Sequence, residues 1–219
     1  MLSIIDTSFQ LPKGQYREEV HPKRHIVLHY TAGFSVNGAL ATWKKTPFRD
    51  GTAFIIGRDG VIYQVFDPRY WAVHIYRHFK GEDKRLYDFE RQSIGIEIVN
   101  VAWLEEKGGV LHTYTKKPFC KIGEADRYVA TPDGKGKWAA KKYWQSYTNE
   151  QYAAVEMLIR ELSRDFQIPL NVPPPAGRLD PWTLEQLAGY TGVTTHCNYR
   201  KDKFDVGPAW DWERIGFGR

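Results

Sequence analysis

The sequence predicts a mixed α/β fold in which a central mixed β-sheet is flanked by helices. Two apolar runs, at 26–30 and 93–100, are typical of strands, the first of them apolar enough to be central in a sheet, and three other segments carry helix start signals. These elements alternate irregularly, which favours a mixed sheet over a regular parallel one. With 219 residues, 42% of them hydrophobic, the chain can bury a full core, so we predict a single domain over 1–219.

The first 45 residues are predicted to hold one strand and one helix. Residues 1–24 form an irregular lead-in, because two prolines and a glycine interrupt them. Residues 26–30 form a short, buried strand. Ser35 is the expected N-cap of a helix that runs through Lys45 with its apolar residues on one face.

A hairpin and another strand follow. Residues 53–66 are predicted to be two strands joined at Arg58-Asp59-Gly60, because an Asp-Gly pair suits the positive φ angles of a tight turn. In the strand at 93–100, three isoleucines share one face, which places Glu97 on the other. A carboxylate in so apolar a strand is costly unless it has a function.

The second half is predicted to contain an insertion and two helices. Residues 101–147 are rich in glycine, lysine and aromatic residues, and loops of that length are usually functional or disordered. A capping box at 148–151 starts a helix that runs to about Phe166. Asp180-Pro181 is expected to cap a shorter helix that ends at Gly189.

Composition limits the partners and the compartment. The net charge of +5 indicates attraction to anionic partners, either nucleic acid or an anionic wall polymer. No run approaches the ~18 apolar residues of a membrane helix, and the N-terminus lacks the features of a signal peptide. We therefore expect synthesis in the cytoplasm without a visible signal peptide and no membrane insertion, although a leader removed earlier would leave the same picture. Cys120 and Cys197 allow one disulfide, but two free thiols are more common.

Two histidines far apart in the sequence lie in settings suited to metal binding. His29 lies at the end of the first apolar run, and His196 opens a polar segment near the C-terminus that contains glycine and proline. Two imidazoles, one carboxylate and an open fourth position are what zinc uses in hydrolytic sites. Taken alone, a histidine in the setting of His29 is more often a buried residue with an ordinary hydrogen bond.

Four segments in order carry a family resemblance: VLHYTAG at 27–33, FIIGRDG at 54–60, SIGIEIVN at 93–100, and the stretch from His196 to the KFDVGP motif at 203–208. With these segments the chain resembles zinc-dependent N-acetylmuramoyl-L-alanine amidases of the amidase-2 type, which are related to T7 lysozyme and the peptidoglycan recognition proteins. The resemblance spans about residues 25 to 212. It implies that His29, His196 and Asp205 hold Zn²⁺, although Asp205 could instead be a turn residue before Gly207-Pro208.

The resemblance also implies the catalytic side chains. Glu97 is the expected general base, which takes a proton from water and passes it to the leaving amine. Lys203 is the expected cation that stabilises the tetrahedral oxyanion. The alternatives are an exposed strand glutamate and an ordinary solvated lysine beside Arg200 and Lys201.

Some positions depart from the family pattern. T7 lysozyme-like members carry a tyrosine near the start of the Phe-Ile-Ile strand, where this chain has Thr52, and many relatives read Trp-His-Ala-Gly where this chain has Ala72-Val73-His74-Ile75-Tyr76. The arginine that in the family usually comes just before the lysine is displaced here, where the sequence reads Arg200-Lys201-Asp202-Lys203. We expect a differently shaped substrate groove to which Thr52, His74 and His78 contribute, although surface histidines are an equal alternative. Trp144 and other aromatic residues of the insertion are expected to contact the glycan or the peptide, or else to pin the insertion onto the domain.

The predicted function is hydrolysis of the amide between N-acetylmuramic acid and L-alanine in peptidoglycan. A phage endolysin-type or otherwise delivered lytic enzyme is the leading role, followed by a cytoplasmic enzyme that recycles muropeptides. A non-catalytic peptidoglycan-binding protein on the same fold is the first alternative. A nucleic-acid-binding domain is supported by charge alone, so we expect no nucleic-acid partner. We also expect a monomer.

Overall fold

A computed structural model describes residues 5–46, 49–76, 85–131 and 135–217. Its central sheet has six strands in the order β1-β4-β3-β5-β2-β11. β3 and β4 are antiparallel and the other neighbouring pairs are parallel, so the sheet is mixed, as predicted. The strands are β1 (Ile5–Asp6), β2 (His25–Tyr30), β3 (Phe54–Ile56), β4 (Ile62–Gln64), β5 (Ser93–Ile98) and β11 (Gly192–Thr195).

The two faces of this sheet pack against different layers. Ile26 and Leu28 of β2 and the isoleucines of β5 join the main core, which also includes the long helix. Val27 joins a smaller cluster on the opposite face with Ile75 and Phe89. The predicted strands are thus confirmed as β2, which is central as expected, and β5, which ends at Ile98 rather than Asn100. Both faces of these strands are covered, as is usual for parallel strands.

In the described residues the sheet is accompanied by five α-helices: α1 (Val36–Trp43), α2 (Arg85–Arg91), α3 (Asn149–Phe166), α4 (Leu184–Gly189) and α5 (His196–Tyr199). Ser35 caps α1, and Thr148 and Gln151 form the predicted capping box of α3. The predicted cap of α4 was wrong. Its N-cap is Thr183 rather than Asp180-Pro181, because Thr183 and a glutamine three residues later form a second capping box.

The insertion at 101–147 is a second sheet rather than a long loop. It is antiparallel, with the order β8-β7-β6-β10-β9. Gly108 and Gly109 both have positive φ, which allows the tight turn between β6 and β7. The strands are β6 (Trp103–Lys107), β7 (Val110–Thr113), β8 (Pro118–Lys121), β9 (Tyr128–Ala130) and β10 (Tyr143–Gln145). Trp144 of β10 belongs to the main core, so this sheet is packed onto the central one.

The described part of the lead-in is attached to the sheet. β1 pairs with β4, and Leu11 is buried. Cys120 and Cys197 are both buried and free, so the disulfide alternative is not realised. Within the described ranges, no helix combines the length and the apolar character needed to cross a bilayer.

Candidate metal centre and active-site cleft

The candidate site lies where three neighbouring parallel strands end. His29 is the last but one residue of β2, Glu97 has the same position in β5, and His196 directly follows β11. The carboxyl ends of parallel strands meet at one edge of a sheet, where ligands of open α/β sheets generally bind. The strand register therefore brings together residues that are up to 167 positions apart.

Three ligand atoms form a compact triangle at this edge. His29 Nδ1, His196 Nδ1 and Asp205 Oδ2 lie 3.0 Å from one another along all three sides. All three residues are buried. The backbone N–H of Cys197 donates to the carbonyl of Asp205 at 3.2 Å, which ties the Asp205 segment to α5. The structure thus brings together the three residues predicted as metal ligands.

The charge state of this triangle suits a divalent cation. Burial is the main cause that lowers the pKa of His29 to about 4, so its imidazole is neutral near pH 7. Burial acts in the opposite direction on Asp205, but the two neighbouring imidazoles, with His196 contributing most, outweigh it and hold the pKa of its carboxyl below the usual range. Neutral imidazole and ionised carboxylate are the forms that bind metal.

The spacing of the triangle fits zinc. Tetrahedral zinc with bonds of about 2.0–2.1 Å to nitrogen and oxygen places its ligand atoms ~3.3 Å apart. The observed 3.0 Å separations differ from that value by only a few tenths of an ångström. Two histidines and one aspartate also match the nitrogen and oxygen donors of catalytic zinc sites, which leave one position for water or substrate.

Glu97 lies beside the triangle. In the sheet register it is directly opposite His29, so the two side chains share a face. It is half-buried and makes no hydrogen bond or ion pair within the described part of the chain. Burial and then the negative charge of Asp205 raise the pKa of Glu97 to about 8, while Lys203 acts in the opposite direction. The carboxyl group is therefore close to the metal ligands and available for proton transfer.

A cleft of about 490 Å³ opens onto these groups. Lys203 lines it, and the segment that carries Lys203 is held on both sides: its N–H donates to the carbonyl of Arg200 at 3.3 Å, and Lys137 Nζ donates to its carbonyl at 2.5 Å. The remaining walls include Tyr30, Trp43, Phe204 and Asp202. The predicted catalytic pair thus faces one open space together with the metal ligands.

The predicted substrate-contact residues occupy different positions. Thr52 lines the cleft but is only 2% exposed, and its hydroxyl donates to the carbonyl of Phe54 at 2.8 Å. His74 lies against His29 with a 5% exposed side chain, and both of its nitrogens have protein partners. Direct substrate contact by these two residues stays a prediction. His78 lies outside the described residues.

The geometry does not support a substrate contact by Trp144. Its side chain is 1% exposed, and its indole N–H donates to the carbonyl of Lys141 at 2.9 Å. A Cβ added at Gly207 would lie 2.7 Å from its ring, so the ring packs directly on the backbone near Asp205. Trp144 therefore holds the insertion against the site from behind, which was the alternative considered for these aromatic residues.

Sequence reasoning missed the residues that lie behind the ligands. The Nε2 atom of His196 lies 2.7 Å from the carbonyl oxygen of Ile75. Ser93 and Glu90 contact His74 from behind. Ile75 and Glu90 lie outside the four segments that carry the family resemblance. Ser93 lies inside one of them, but nothing in the sequence distinguishes it from an ordinary strand residue.

The mixed α/β sheet and the His-His-Asp triangle at its edge define an α/β protein with a candidate metal site at the carboxyl ends of its parallel strands. A family model described as N-acetylmuramoyl-L-alanine amidase, Amidase_2, matches residues 19–208. The chain belongs to this family, as the sequence predicted. No curated protein sequence is similar enough to the chain to count as a relative.

Solved structures give the same fold. A selenomethionine derivative of AmpD has 17% identity and a TM-score of 0.52, with 100% of this chain and 99% of that chain covered. AmiD from E. coli, in complex with anhydro-N-acetylmuramic acid-L-Ala-D-γ-Glu-L-Lys, has 17% identity and a TM-score of 0.53, with 99% of this chain and 65% of that chain covered. AmpDh3 from Pseudomonas aeruginosa has 17% identity and a TM-score of 0.51, with coverage of 100% and 66%.

Proposed function

We propose that the chain is a zinc-dependent amidase that cleaves the bond between the lactyl carbonyl of N-acetylmuramic acid and the nitrogen of L-alanine. The observation that carries this proposal is the triangle of His29, His196 and Asp205 with Glu97 beside it in an open cleft. All three ligand positions are filled by competent side chains. This counts against the alternative of a non-catalytic binding protein.

The residues divide the chemistry as follows. When zinc is bound, it supplies Lewis acidity for the amide carbonyl and makes water acidic enough to act as a nucleophile near pH 7. Glu97 accepts a proton as water attacks the carbonyl carbon and delivers it to the alanine nitrogen as the carbon–nitrogen bond breaks. The products are the lactyl carboxylate and a free L-alanine amine. Lys203 stabilises the negative charge that develops on the carbonyl oxygen.

The pKa of Glu97 has to allow its carboxyl group both to accept a proton from water and to donate that proton to the alanine nitrogen. In the protein without metal it is raised to about 8, mainly by burial. Next to a divalent cation it is lower, because the cation favours the ionised carboxylate. A carboxyl group with a pKa close to the working pH is effective both as base and as acid.

We further propose that the intact wall is the physiological target. The net charge of +5 favours binding to an anionic polymer, with an endolysin-type or delivered enzyme as the first role. The recycling of soluble muropeptides is the alternative. The two differ in their salt dependence: activity on isolated walls falls as ionic strength rises, whereas activity on small muropeptides changes little.

The proposal is tested on purified peptidoglycan by following new amino groups and reducing sugars together. Zinc-loaded protein is expected to release L-alanine amino termini without reducing sugars. Chelator-treated protein and Glu97→Gln are expected to release neither. Glu161→Gln, at a half-buried glutamate of α3, is the matched control and retains activity. Release of reducing sugars, or release that persists in Glu97→Gln, contradicts the proposal.

A further inference from the structure

Both candidate metal-binding histidines are held from behind by one short segment. The Nε2 atom of His29 lies 2.9 Å from Nδ1 of His74. The Nε2 atom of His196 lies 2.7 Å from the carbonyl oxygen of Ile75. Two consecutive residues, His74 and Ile75, therefore contact the outward nitrogens of two rings that come from opposite ends of the chain.

The hydrogen-bond directions behind His196 follow from chemistry. A carbonyl oxygen only accepts, so the proton lies on Nε2 of His196, which donates it to Ile75. In a neutral imidazole the other nitrogen is then unprotonated. Nδ1 of His196 therefore presents its lone pair to the triangle.

The hydrogen-bond directions behind His29 are set by a longer chain of hydrogen bonds, which also ends at a backbone carbonyl. The hydroxyl of Ser93 donates to the carbonyl of Glu90 at 3.1 Å, so the serine oxygen accepts from Nε2 of His74 at 2.8 Å. Nδ1 of His74 then has no proton and accepts from Nε2 of His29. The result is the same as for His196: Nδ1 of His29 carries the free lone pair.

The side chain of Glu90 holds this segment in place. It is 1% exposed. One carboxylate oxygen accepts from the backbone N–H of His74 at 3.0 Å, and the other accepts from Ile75 at 3.1 Å and Tyr76 at 2.7 Å. Three consecutive backbone donors on one buried carboxylate fix both the carbonyl of Ile75 and the ring of His74 relative to α2.

We propose that Glu90, His74 and Ser93 are positioning residues that lock both ligand histidines in the tautomer that binds through Nδ1. This inference rests on the proposed zinc site. Partners behind the ligands typically change metal affinity 10–100-fold when they are removed. The hydrogen bonds from His29 through His74 to Ser93 act on His29 alone, whereas Glu90 acts on both ligand histidines. A variant at Ser93 should therefore change His29 only, and a variant at Glu90 should change both rings.

The test measures histidine tautomers and zinc affinity separately. In metal-free protein, ¹⁵N NMR of the imidazoles is expected to show the Nε2–H tautomer for His29 and His196. Ser93→Ala is expected to give a mixture of tautomers at His29 and no change at His196. Glu90→Gln is expected to perturb both rings. A purely structural role would not single out one histidine, so this selectivity is the decisive readout.

Zinc affinity is measured by competition with a chelating dye. His74→Ala is expected to weaken binding about 10–100-fold, and His74→Asn, which retains a side-chain acceptor, is expected to restore much of it. His112→Ala is the matched control, because His112 is a half-buried histidine in β7 whose ring bonds to a carbonyl away from the site. Circular dichroism confirms that each variant is folded, and Ser93→Ala, which deletes a single oxygen, remains informative if Glu90→Gln unfolds.

The outcomes separate this inference from the proposed function. A wild-type protein that binds no zinc overturns both. A wild-type protein that binds zinc, with unchanged affinity in His74→Ala and unchanged tautomers in Ser93→Ala, overturns the positioning role alone.

Discussion

Gly95 provides a sharp test of how tightly the site is packed. It lies in β5 on the same face as Glu97, and its backbone does not have positive φ, so only space limits a side chain there. A Cβ added at Gly95 would lie 2.6 Å from Cγ2 of Thr52 and 3.0 Å from Nδ1 of His74. Gly95→Ala should therefore displace the residue that holds His29.

The expected size of this effect follows from the steric conflict. Overpacking a rigid core by one methyl group costs about 1–3 kcal/mol, and the gain from a less flexible unfolded chain returns about 0.4–1 kcal/mol. A net loss of about 1–2 kcal/mol corresponds to a decrease in Tm of about 2–8 °C for a chain of this size. Zinc affinity should also fall, because Nδ1 of His74 moves.

A double-mutant cycle identifies the cause. Thr52→Ser removes Cγ2, the atom nearest to the new methyl group. It should lower stability on its own by about 1 kcal/mol, yet the double variant should be about 1 kcal/mol more stable than the sum of the two losses. Gly123→Ala is the control, because a Cβ there meets nothing within 4 Å. Equal Tm values for Gly95→Ala and Gly123→Ala, or strict additivity in the cycle, would show that a methyl group at Gly95 does not collide with Thr52.

Three further predictions concern the site. Glu97→Gln should lower kcat about 10²–10⁴-fold with zinc affinity retained, as measured by amine release and dye competition; activity above a tenth of wild type would contradict its role. Zinc at 1,000 times its Kd should stabilise the fold by about 4 kcal/mol in thermal unfolding, and Asp205→Ala should abolish that gain. Burial raises the pKa of Glu90 from 4.5 to about 7, so the folded state retains a proton that the unfolded state loses between those values. Stability of the metal-free protein should therefore decline as pH rises from 4.5 to 7, by at most about 3 kcal/mol, and urea unfolding of Glu90→Gln should show a flatter profile.

The parts of the fold that the sequence predicted carry local signals. The apolar strands around His29 and Glu97 are continuous enough to indicate a buried sheet, and the capping box at Thr148 marks the start of α3. The second sheet was missed because its strands have only three to five residues. Their stability comes from cross-strand pairing, which short sequence windows do not reveal.

The metal ligands and catalytic residues of the candidate site were predictable from the sequence, but the contacts behind them were not. His29, His196, Asp205, Glu97 and Lys203 lie in segments with a family resemblance, and the structure brings them to one cleft. The roles of Glu90 and Ile75 depend on contacts between distant segments. Ile75 is 121 positions from His196, and the atom involved is a backbone carbonyl that every residue possesses. No residue type at that position could have indicated the contact.

The proposed cleavage of the muramoyl-alanine amide is tested by the position of the new oxygen atom in the product. A soluble muropeptide is digested in H₂¹⁸O by the zinc-loaded protein, and the fragments are analysed by mass spectrometry. We expect one ¹⁸O in the lactyl carboxylate of the muramic acid fragment and none in the released peptide, with no product from chelator-treated protein. Label in a peptide carboxylate or at the sugar anomeric carbon would show that a different bond is cleaved, and failure to digest both the muropeptide and isolated walls would contradict the amidase activity itself.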